Sequence, residues 1–350
     1  MDVFSKLKAL SPKADKAVFF WKNPCGELSG ILAAHVDDFL YGGDDHFISN
    51  VLPGIQSAFD VGTEENGCMK YLGLSVQQCP QHISLSLAGR DLDEIDTSQL
   101  GSDKSRPLES KEITSLRSKI GQINWIASQS RPDLAYDSCV ASNSLRKPTV
   151  GDILLINKIV RKSGGKNLHL LFPTNIHLQS CQVVAFCDAS FANLPDRGSQ
   201  GGFVAFLVDK QGVYSLISWQ SKRIKRVVNS TLAAECLVAV DTAEHCLLLK
   251  SILDEIMHTP STEIKISILS DNRSLVDAVH TTTQMENKRL QIDISILREM
   301  LELGDLHQFR WIETKYQVAN ALTKAGAPSD YLMNIIRSEL KFNFNSGIFA

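Results

Sequence analysis

The strongest restriction on the fold comes from residues 179–326, where three β-rich runs in quick succession precede a long helical pattern. The runs lie at 182–187, 202–208 and 213–219, and the helical pattern covers about 229–257. A fourth strand is predicted at 264–269 and a fifth at 308–312, with helices between them. Because a helical crossover brings the fourth strand parallel to an earlier one, we predict an α/β domain with a mixed five-stranded sheet and flanking helices.

Residues 1–178 have a different pattern. Apolar runs at 17–21 and 28–36 flank a turn cluster and predict a hairpin. A helix at about 46–59 and a strand at 70–77 are expected next, and helices are predicted at 112–128 and 132–146. The predicted organisation is an α+β part at 1–100, a helical segment at 101–178, the α/β domain at 179–326 and a C-terminal tail at 327–350.

Composition excludes several protein classes. The 350 residues carry 36 Lys and Arg against 39 Asp and Glu, so any nucleic-acid contact must come from a local basic patch. No apolar run approaches the roughly 20 residues that a membrane helix needs, which predicts a cytoplasmic or nuclear protein without a membrane partner. The eight cysteines include no C-x-x-C pair, which argues against a structural zinc site.

Three carboxylates are predicted to meet at one edge of the sheet. Asp188 ends the first strand and Asp271 ends the fourth, and the carboxyl ends of parallel neighbours share an edge. Glu235 lies on the apolar face of the long helix, where an unpaired carboxylate is costly. Taken alone, Asp188 is better explained as the cap of a turn and Asp271 as the cap of the following helix, so the metal-site interpretation depends on the combination. Together the three carboxylates suit Mg²⁺ or Mn²⁺.

Nine short motifs follow one another along the chain. In the α/β domain they are Phe186-Cys187-Asp188-Ala189-Ser190, Ile217-Ser218-Trp219-Gln220-Ser221-Lys222, Ser230-Thr231-Leu232-Ala233-Ala234-Glu235, Leu269-Ser270-Asp271-Asn272, Ile292-Asp293-Ile294 and Ala319-Asn320-Ala321-Leu322-Thr323-Lys324. Upstream they are His35-Val36-Asp37-Asp38, Lys70-Tyr71-Leu72-Gly73-Leu74 and Arg131-Pro132-Asp133-Leu134-Ala135-Tyr136. The first group resembles the ribonuclease H domain of copia-type LTR retrotransposon Pol polyproteins. The second resembles the end of the reverse transcriptase of the same polyprotein.

The resemblance implies a ribonuclease H that hydrolyses the RNA strand of RNA–DNA hybrids by two-metal catalysis. Asp188, Glu235 and Asp271 would hold Mg²⁺ or Mn²⁺, and Asn320 stands where the family has a fourth carboxylate. Since Asn lacks the negative charge, we expect reduced activity or none. The alternatives are a catalytically degenerate nucleic-acid-binding or interaction protein on the same fold and a product without a selected function. The residues predict no particular protein partner.

The Asp37-Asp38 pair corresponds to a polymerase metal site in this family. The resemblance implies that residues 1–100 form the C-terminal part of the palm and the start of the thumb, and that 101–178 form a helical thumb or connection segment. The polymerase carboxylate from an earlier palm strand would precede Met1, so we expect a vestigial pair and no polymerisation by this chain alone. The alternative is that another chain supplies the missing half.

A basic cluster is the predicted nucleic-acid contact. Trp219 precedes four cations, Lys222, Arg223, Lys225 and Arg226, which we expect in the loop between the third strand and the long helix. A solvated loop is the alternative interpretation of this charge run. Lys288 and Arg289 form a second, weaker candidate.

Overall fold

The computed structural model describes residues 3–88, 92–164, 168–194, 196–257, 264–282, 284–337 and 340–349. Within these ranges no helix has the length and apolar character required to cross a lipid bilayer.

The N-terminal part is a small antiparallel sheet covered by helices. After helix α1 (Val3–Lys6), strands β1 (Val18–Lys22), β2 (Leu28–His35) and β3 (Asp38–Gly43) pair in that order, which confirms the predicted hairpin. The helix predicted at 46–59 is a π-helical turn (Phe47–Val51) that continues into α2 (Leu52–Ala58). Gly30 and Gly43 admit the buried Phe47 ring, since a Cβ at either glycine would lie within 2.4 Å of it.

A second antiparallel sheet contains β4 (Cys68–Tyr71), β5 (Leu74–Gln78), β6 (His82–Leu87) and β7 (Leu170–Pro173), in that order. The single strand predicted at 70–77 is wrong, because the chain reverses within it. Leu72 and Gly73 both have positive φ, at 50° and 78°, and form the tight turn between β4 and β5. The last strand, β7, comes from the segment that was predicted to be helical, and it pairs with β6.

Three helices form the middle of the chain. They are α3 (Ser110–Gln129), α4 (Ala135–Ser144) and α5 (Val150–Gly164), and a 3₁₀ turn (Pro132–Leu134) joins the first two. The first two match the predicted helices, whereas α5 was not predicted. Leu116, Ile123, Ile153 and Ile156 are fully buried between them and form a core separate from those of the sheets.

The α/β domain has the predicted mixed five-stranded sheet. Its elements are β8 (Gln182–Ser190), β9 (Ser199–Val208), β10 (Tyr214–Ile224), α6 (Thr231–Met257), β11 (Ile266–Ser270), α7 (Arg273–His280), α8 (Lys288–Leu303) and β12 (Gln308–Trp311). The strand order is β10-β9-β8-β11-β12. The first three strands are antiparallel, and β8, β11 and β12 run parallel, as the helical crossover requires.

Helices α6, α7 and α8 cover one face of this sheet, and the C-terminal residues cover the other. The C-terminal elements are two 3₁₀ turns (Thr314–Tyr316 and Val318–Leu322), α9 (Asp330–Arg337), β13 (Phe342–Asn343) and β14 (Ile348–Phe349). The helical segment predicted at 318–325 is a shorter 3₁₀ turn, Val318–Leu322. Residues 327–350 were predicted to be a tail, but Phe342 and Phe349 are buried against Phe186 in the sheet.

Candidate active site

The register of the parallel strands brings two aspartates together. Phe186 of β8 lies opposite Leu269 of β11. Asp188 and Asp271 each follow these residues by two positions. Both carboxylates therefore lie at equivalent positions on the same edge of the sheet. Asp188 is almost fully buried at 1% exposure, and Asp271 is partly exposed.

Helix α6 supplies the third carboxylate. Glu235 lies in its second turn, on the face that packs against the sheet through Ala239 and Val238, and is only 5% exposed. One carboxylate oxygen from each of Asp188, Glu235 and Asp271 lies within 4.8 Å of the others. We call these three residues the acidic triad. Among the described residues it is the only group of three or more His, Cys, Asp or Glu side chains with this spacing.

Burial and the neighbouring negative charges disfavour the charged forms of Glu235 and Asp188. Burial raises the pKa of Glu235 well above its usual range, and the neighbouring charges of Asp188 and Asp271 raise it further. Burial also raises the pKa of Asp188, although the Lys324 ammonium and a hydrogen bond from the Thr323 hydroxyl oppose this shift. The triad is therefore an anionic site whose charge is only partly compensated by the protein.

The acidic triad fits a divalent cation that prefers oxygen ligands. Oε2 of Glu235 is buried and accepts no hydrogen bond from any described residue. An orphaned carboxylate oxygen of this kind is costly unless a cation or proton satisfies it. Three carboxylates are the donor set that Mg²⁺ and Mn²⁺ favour, as the sequence predicts.

Asn320, which the resemblance places at the position of a fourth carboxylate, lies next to this group. Asn320 lies in the 3₁₀ turn Val318–Leu322, and its Nδ2 donates to the carbonyl oxygen of Thr314 at 3.2 Å. Its Oδ1 accepts a hydrogen bond from Nζ of Lys324 at 2.6 Å. The same Nζ lies 3.3 Å from Oδ2 of Asp188, so Lys324 links the two residues.

Sequence reasoning missed three polar residues that hold this edge together. Lys324 is the first, and Thr323 is the second, since its hydroxyl donates to Asp188. Gln317 is buried, and its Nε2 donates to the carbonyl oxygen of Cys187 at 2.9 Å and to Oδ1 of Asp271 at 3.5 Å. Thr323 and Lys324 stand inside the quoted motif at 319–324, and that motif was the available signal.

The basic cluster lies partly on a strand. Strand β10 runs to Ile224, so the prediction that Lys222 and Arg223 lie in the loop is wrong. Three of the four cations form ion pairs inside the molecule. These are Lys222 with Asp241 at 2.9 Å, Arg223 with Asp196 at 2.7 Å and Arg226 with Asp293 at 2.6 Å. Lys225 is exposed and has no ion-pair partner among the described residues.

Trp219 contacts the helical part of the chain. Its Nε1 donates to the carbonyl oxygen of Ala127 in α3 at 2.8 Å, and its ring lines a cleft with Leu85 and Phe172. The indole N–H therefore has a partner inside the protein. Lys288 and Arg289 are exposed in the first turn of α8, again without an ion-pair partner in the described ranges.

The Asp37-Asp38 pair lies at the tip of the hairpin between β2 and β3. Val36 has a φ of 53°, and Asp38 is the first residue of β3, opposite His35. Both carboxylates are exposed, and no third ligand completes a metal site with them in the part of the chain that the structure describes.

Comparison with known proteins identifies homologues among transposon polyproteins. The retrovirus-related Pol polyprotein from transposon RE2 of Arabidopsis thaliana is 24% identical over 316 residues, and that from transposon RE1 is 25% identical over the same length. Each alignment covers 84% of this chain and 20% of the relative, so the chain spans about a fifth of the length of these relatives. No family model matches the sequence. The predicted relationship to retrotransposon Pol polyproteins is confirmed by these homologues.

Two solved structures resemble different shares of this chain. The foamy viral protease-reverse transcriptase in complex with an RNA/DNA hybrid covers 81% of this chain and 36% of that chain, with 15% identity and a TM-score of 0.46. Ribonuclease H1 of Halobacterium salinarum covers 41% of this chain and 94% of that chain, with 16% identity and a TM-score of 0.30. At these scores the fold assignment depends on the strand order and register described above.

Proposed function

We propose that the α/β domain is a ribonuclease H-type nuclease that hydrolyses the RNA strand of RNA–DNA hybrids with Mg²⁺ or Mn²⁺ as cofactor. The observation that carries the proposal is the acidic triad, which stands at the shared edge of β8 and β11 with an unsatisfied oxygen of Glu235. The transposon homologues support a role in nucleic-acid metabolism.

The residues of the triad have separable roles in this proposal. Asp188 and Asp271 offer carboxylate oxygens from neighbouring strands, and Glu235 offers a third from the helix above them. Divalent cations held by these three carboxylates would supply Lewis-acid activation of water and stabilisation of charge on the scissile phosphate. Gln317 orients Asp271, and Thr323 orients Asp188, through the hydrogen bonds described above.

Of the predicted contact residues, the cations without an ion-pair partner among the described residues are the best candidates for phosphate contacts. They are Lys225 in the loop before α6 and Lys288 and Arg289 at the start of α8, and a hydrogen bond from Asn287 to Asn229 links these two segments. Replacing all three with Ala should weaken hybrid binding. It should also make the plot of log affinity against log salt concentration less steep, by the equivalent of up to about three phosphate contacts. Unchanged binding and slope in a filter-binding titration would remove this surface from the proposal.

A second candidate function is nucleic-acid binding without catalysis. The observation that favours it is Asn320, whose oxygen is occupied by Lys324 at the position of the family's fourth carboxylate. Under this alternative the fold and the basic surface persist, but hydrolysis does not. Neither candidate uses Asp37 and Asp38, the pair that the resemblance assigns to a vestigial polymerase site.

The experiment that tests the proposal compares the wild type with Asp188→Asn. Purified protein is incubated with a hybrid labelled on the RNA strand and Mg²⁺ or Mn²⁺. We expect cleavage by the wild type and none by Asp188→Asn, with a thermal melt that changes little because Asn keeps the shape of Asp. Asp277→Asn is the matched control, since Asp277 is exposed on α7 and pairs only loosely with Arg273 at 4.0 Å. Hybrid binding without cleavage by the wild type supports the second candidate instead.

A further inference from the structure

We infer that Lys324 is a built-in counter-ion of the acidic triad and that it competes with a divalent cation for the carboxylate of Asp188. The inference rests on the proposed metal-dependent function and deepens it, because it names what regulates cation occupancy at that site. Lys324 acts here as a positioning residue.

The geometry places the ammonium between two anchors. Nζ of Lys324 lies 3.3 Å from Oδ2 and 3.4 Å from Oδ1 of Asp188, so it faces both oxygens of this carboxylate. On its other side it donates to Oδ1 of Asn320 at 2.6 Å. The ammonium therefore occupies the space between Asp188 and the position of the family's fourth carboxylate.

Lys324 neutralises only part of the negative charge of the acidic triad. Lys324 contacts Asp188, but no hydrogen bond or ion pair joins it to Glu235 or Asp271. The ammonium thus contacts one of three carboxylates, acts on Glu235 only through its charge at longer range, and leaves Oε2 of Glu235 without a hydrogen bond. A divalent cation that engages the whole triad must share Asp188 with this ammonium. Since two cations on one carboxylate repel each other, binding of the metal and retention of Lys324 are mutually unfavourable.

Exposure determines which partner can move. The side chain of Lys324 is 39% exposed, whereas that of Asp188 is 1% exposed and accepts a further hydrogen bond from Thr323. A flexible lysine at the surface can turn into water, but the aspartate is held in its strand. Asn320 holds the ammonium by a neutral hydrogen bond rather than a second ion pair, so release of Lys324 leaves no uncompensated charge at position 320.

The test measures Mn²⁺ binding to the full chain by isothermal titration calorimetry after removal of metal with EDTA and dialysis. We expect Lys324→Met to bind Mn²⁺ about tenfold more tightly than the wild type, a difference of about 1.4 kcal/mol. Lys324→Arg, which keeps the charge, should remain near the wild type. Lys222→Met is the matched control, because Lys222 forms a surface ion pair with Asp241 and lies on β10, two strands from Asp188 of β8.

The possible outcomes separate the inference from the proposed function. Equal Mn²⁺ affinity of the wild type and Lys324→Met overturns the counter-ion role and leaves the metal site intact. Absence of Mn²⁺ binding in every variant overturns both the inference and the proposed function. Tighter binding by Lys222→Met to the same degree also overturns the inference, because it would show a general charge effect.

A second measurement uses the unaltered protein and so does not depend on the folding of a variant. Lysines of the wild type are acylated with an amine-specific reagent in EDTA and in saturating Mn²⁺, and each site is quantified by peptide mass spectrometry. We expect Mn²⁺ to increase labelling of Lys324 several-fold relative to Lys222. Labelling of Lys324 that is unchanged by bound Mn²⁺ contradicts its displacement.

Discussion

Replacing Glu235 with Gln should stabilise the metal-free protein and remove its stabilisation by Mn²⁺. Carboxylate oxygens of the triad lie within 4.8 Å of one another, so two ionised groups repel by about 3 kcal/mol at an effective dielectric constant of 20. Burial and the charges of its neighbours raise the pKa of Glu235, so the ionised form of this side chain is the costly one in the folded protein. Gln removes the charge at nearly constant shape, and we expect a gain in the free energy of unfolding of about 1–2 kcal/mol near pH 8.

In the presence of Mn²⁺ we expect Glu235→Gln to be less stable than the wild type, the reverse of the metal-free result. A ligand at a hundred times its Kd stabilises the folded state by about 2.7 kcal/mol. For a domain of about 150–250 residues this corresponds to a rise in Tm of about 5–10 °C. Glu235→Gln should lose most of that rise, since a neutral amide replaces a charged ligand.

The assay is thermal and urea unfolding of the wild type and Glu235→Gln, each in EDTA and in Mn²⁺. Glu244→Gln is the control on the same helix, because Glu244 is exposed and should change stability by less than about 0.5 kcal/mol in either condition. A Glu235→Gln variant that is less stable in EDTA and keeps the full Mn²⁺ shift would refute the electrostatic account of the triad.

Three further predictions follow from individual contacts. Asn320→Asp should tighten Mn²⁺ binding and raise any hybrid cleavage, because it restores a charge beside Asp188; a decrease in both contradicts this. Trp219→Phe should lower the free energy of unfolding by about 1 kcal/mol through loss of its hydrogen bond to Ala127, with hybrid affinity unchanged. Lost hybrid affinity at unchanged stability would return Trp219 to the nucleic-acid interface. Burial and Lys222 lower the pKa of His245, so the unfolded chain binds its proton first and stability is lost as pH falls below about 6.5. In urea unfolding between pH 7.5 and 5.5, His245→Gln should lose less stability than the wild type, and an equal loss contradicts the shift.

The arrangement of the triad was accessible from sequence because it depends on regular patterns. Short continuous apolar runs located β8 and β11, and the crossover rule made them parallel. Helical spacing then placed Glu235 on the buried face of α6. These steps use local periodicity, which a single sequence contains in full.

Other features depend on contacts between distant residues and could not be predicted in the same way. The reversal at Leu72 requires a positive φ that a non-glycine residue rarely adopts, so the hairpin was read as one strand. The ion pair between Arg226 and Asp293 joins residues 67 positions apart. Without that pair, the charge run at 222–226 looks like a free basic loop. The burial of Phe349 against the sheet depends likewise on tertiary packing.

The polar residues around the triad illustrate a third case. Lys324 and Thr323 belong to the motif at 319–324, but a motif gives the order of residues and not the contacts that their side chains make. Lys324 follows the 3₁₀ turn Val318–Leu322 that carries Asn320, so their contact depends on the course of the chain after that turn, which residue spacing alone does not predict.

The most direct test of the central claim is strand-specific cleavage of a hybrid labelled on both strands, measured with wild-type protein in EDTA, Mg²⁺ and Mn²⁺. The account predicts hydrolysis of the RNA strand only, dependent on the added cation, and none of double-stranded DNA of the same sequence. Intact RNA in Mn²⁺ under conditions in which the protein binds the hybrid, or equal cleavage in EDTA, would contradict the assignment of a metal-dependent ribonuclease site to Asp188, Glu235 and Asp271.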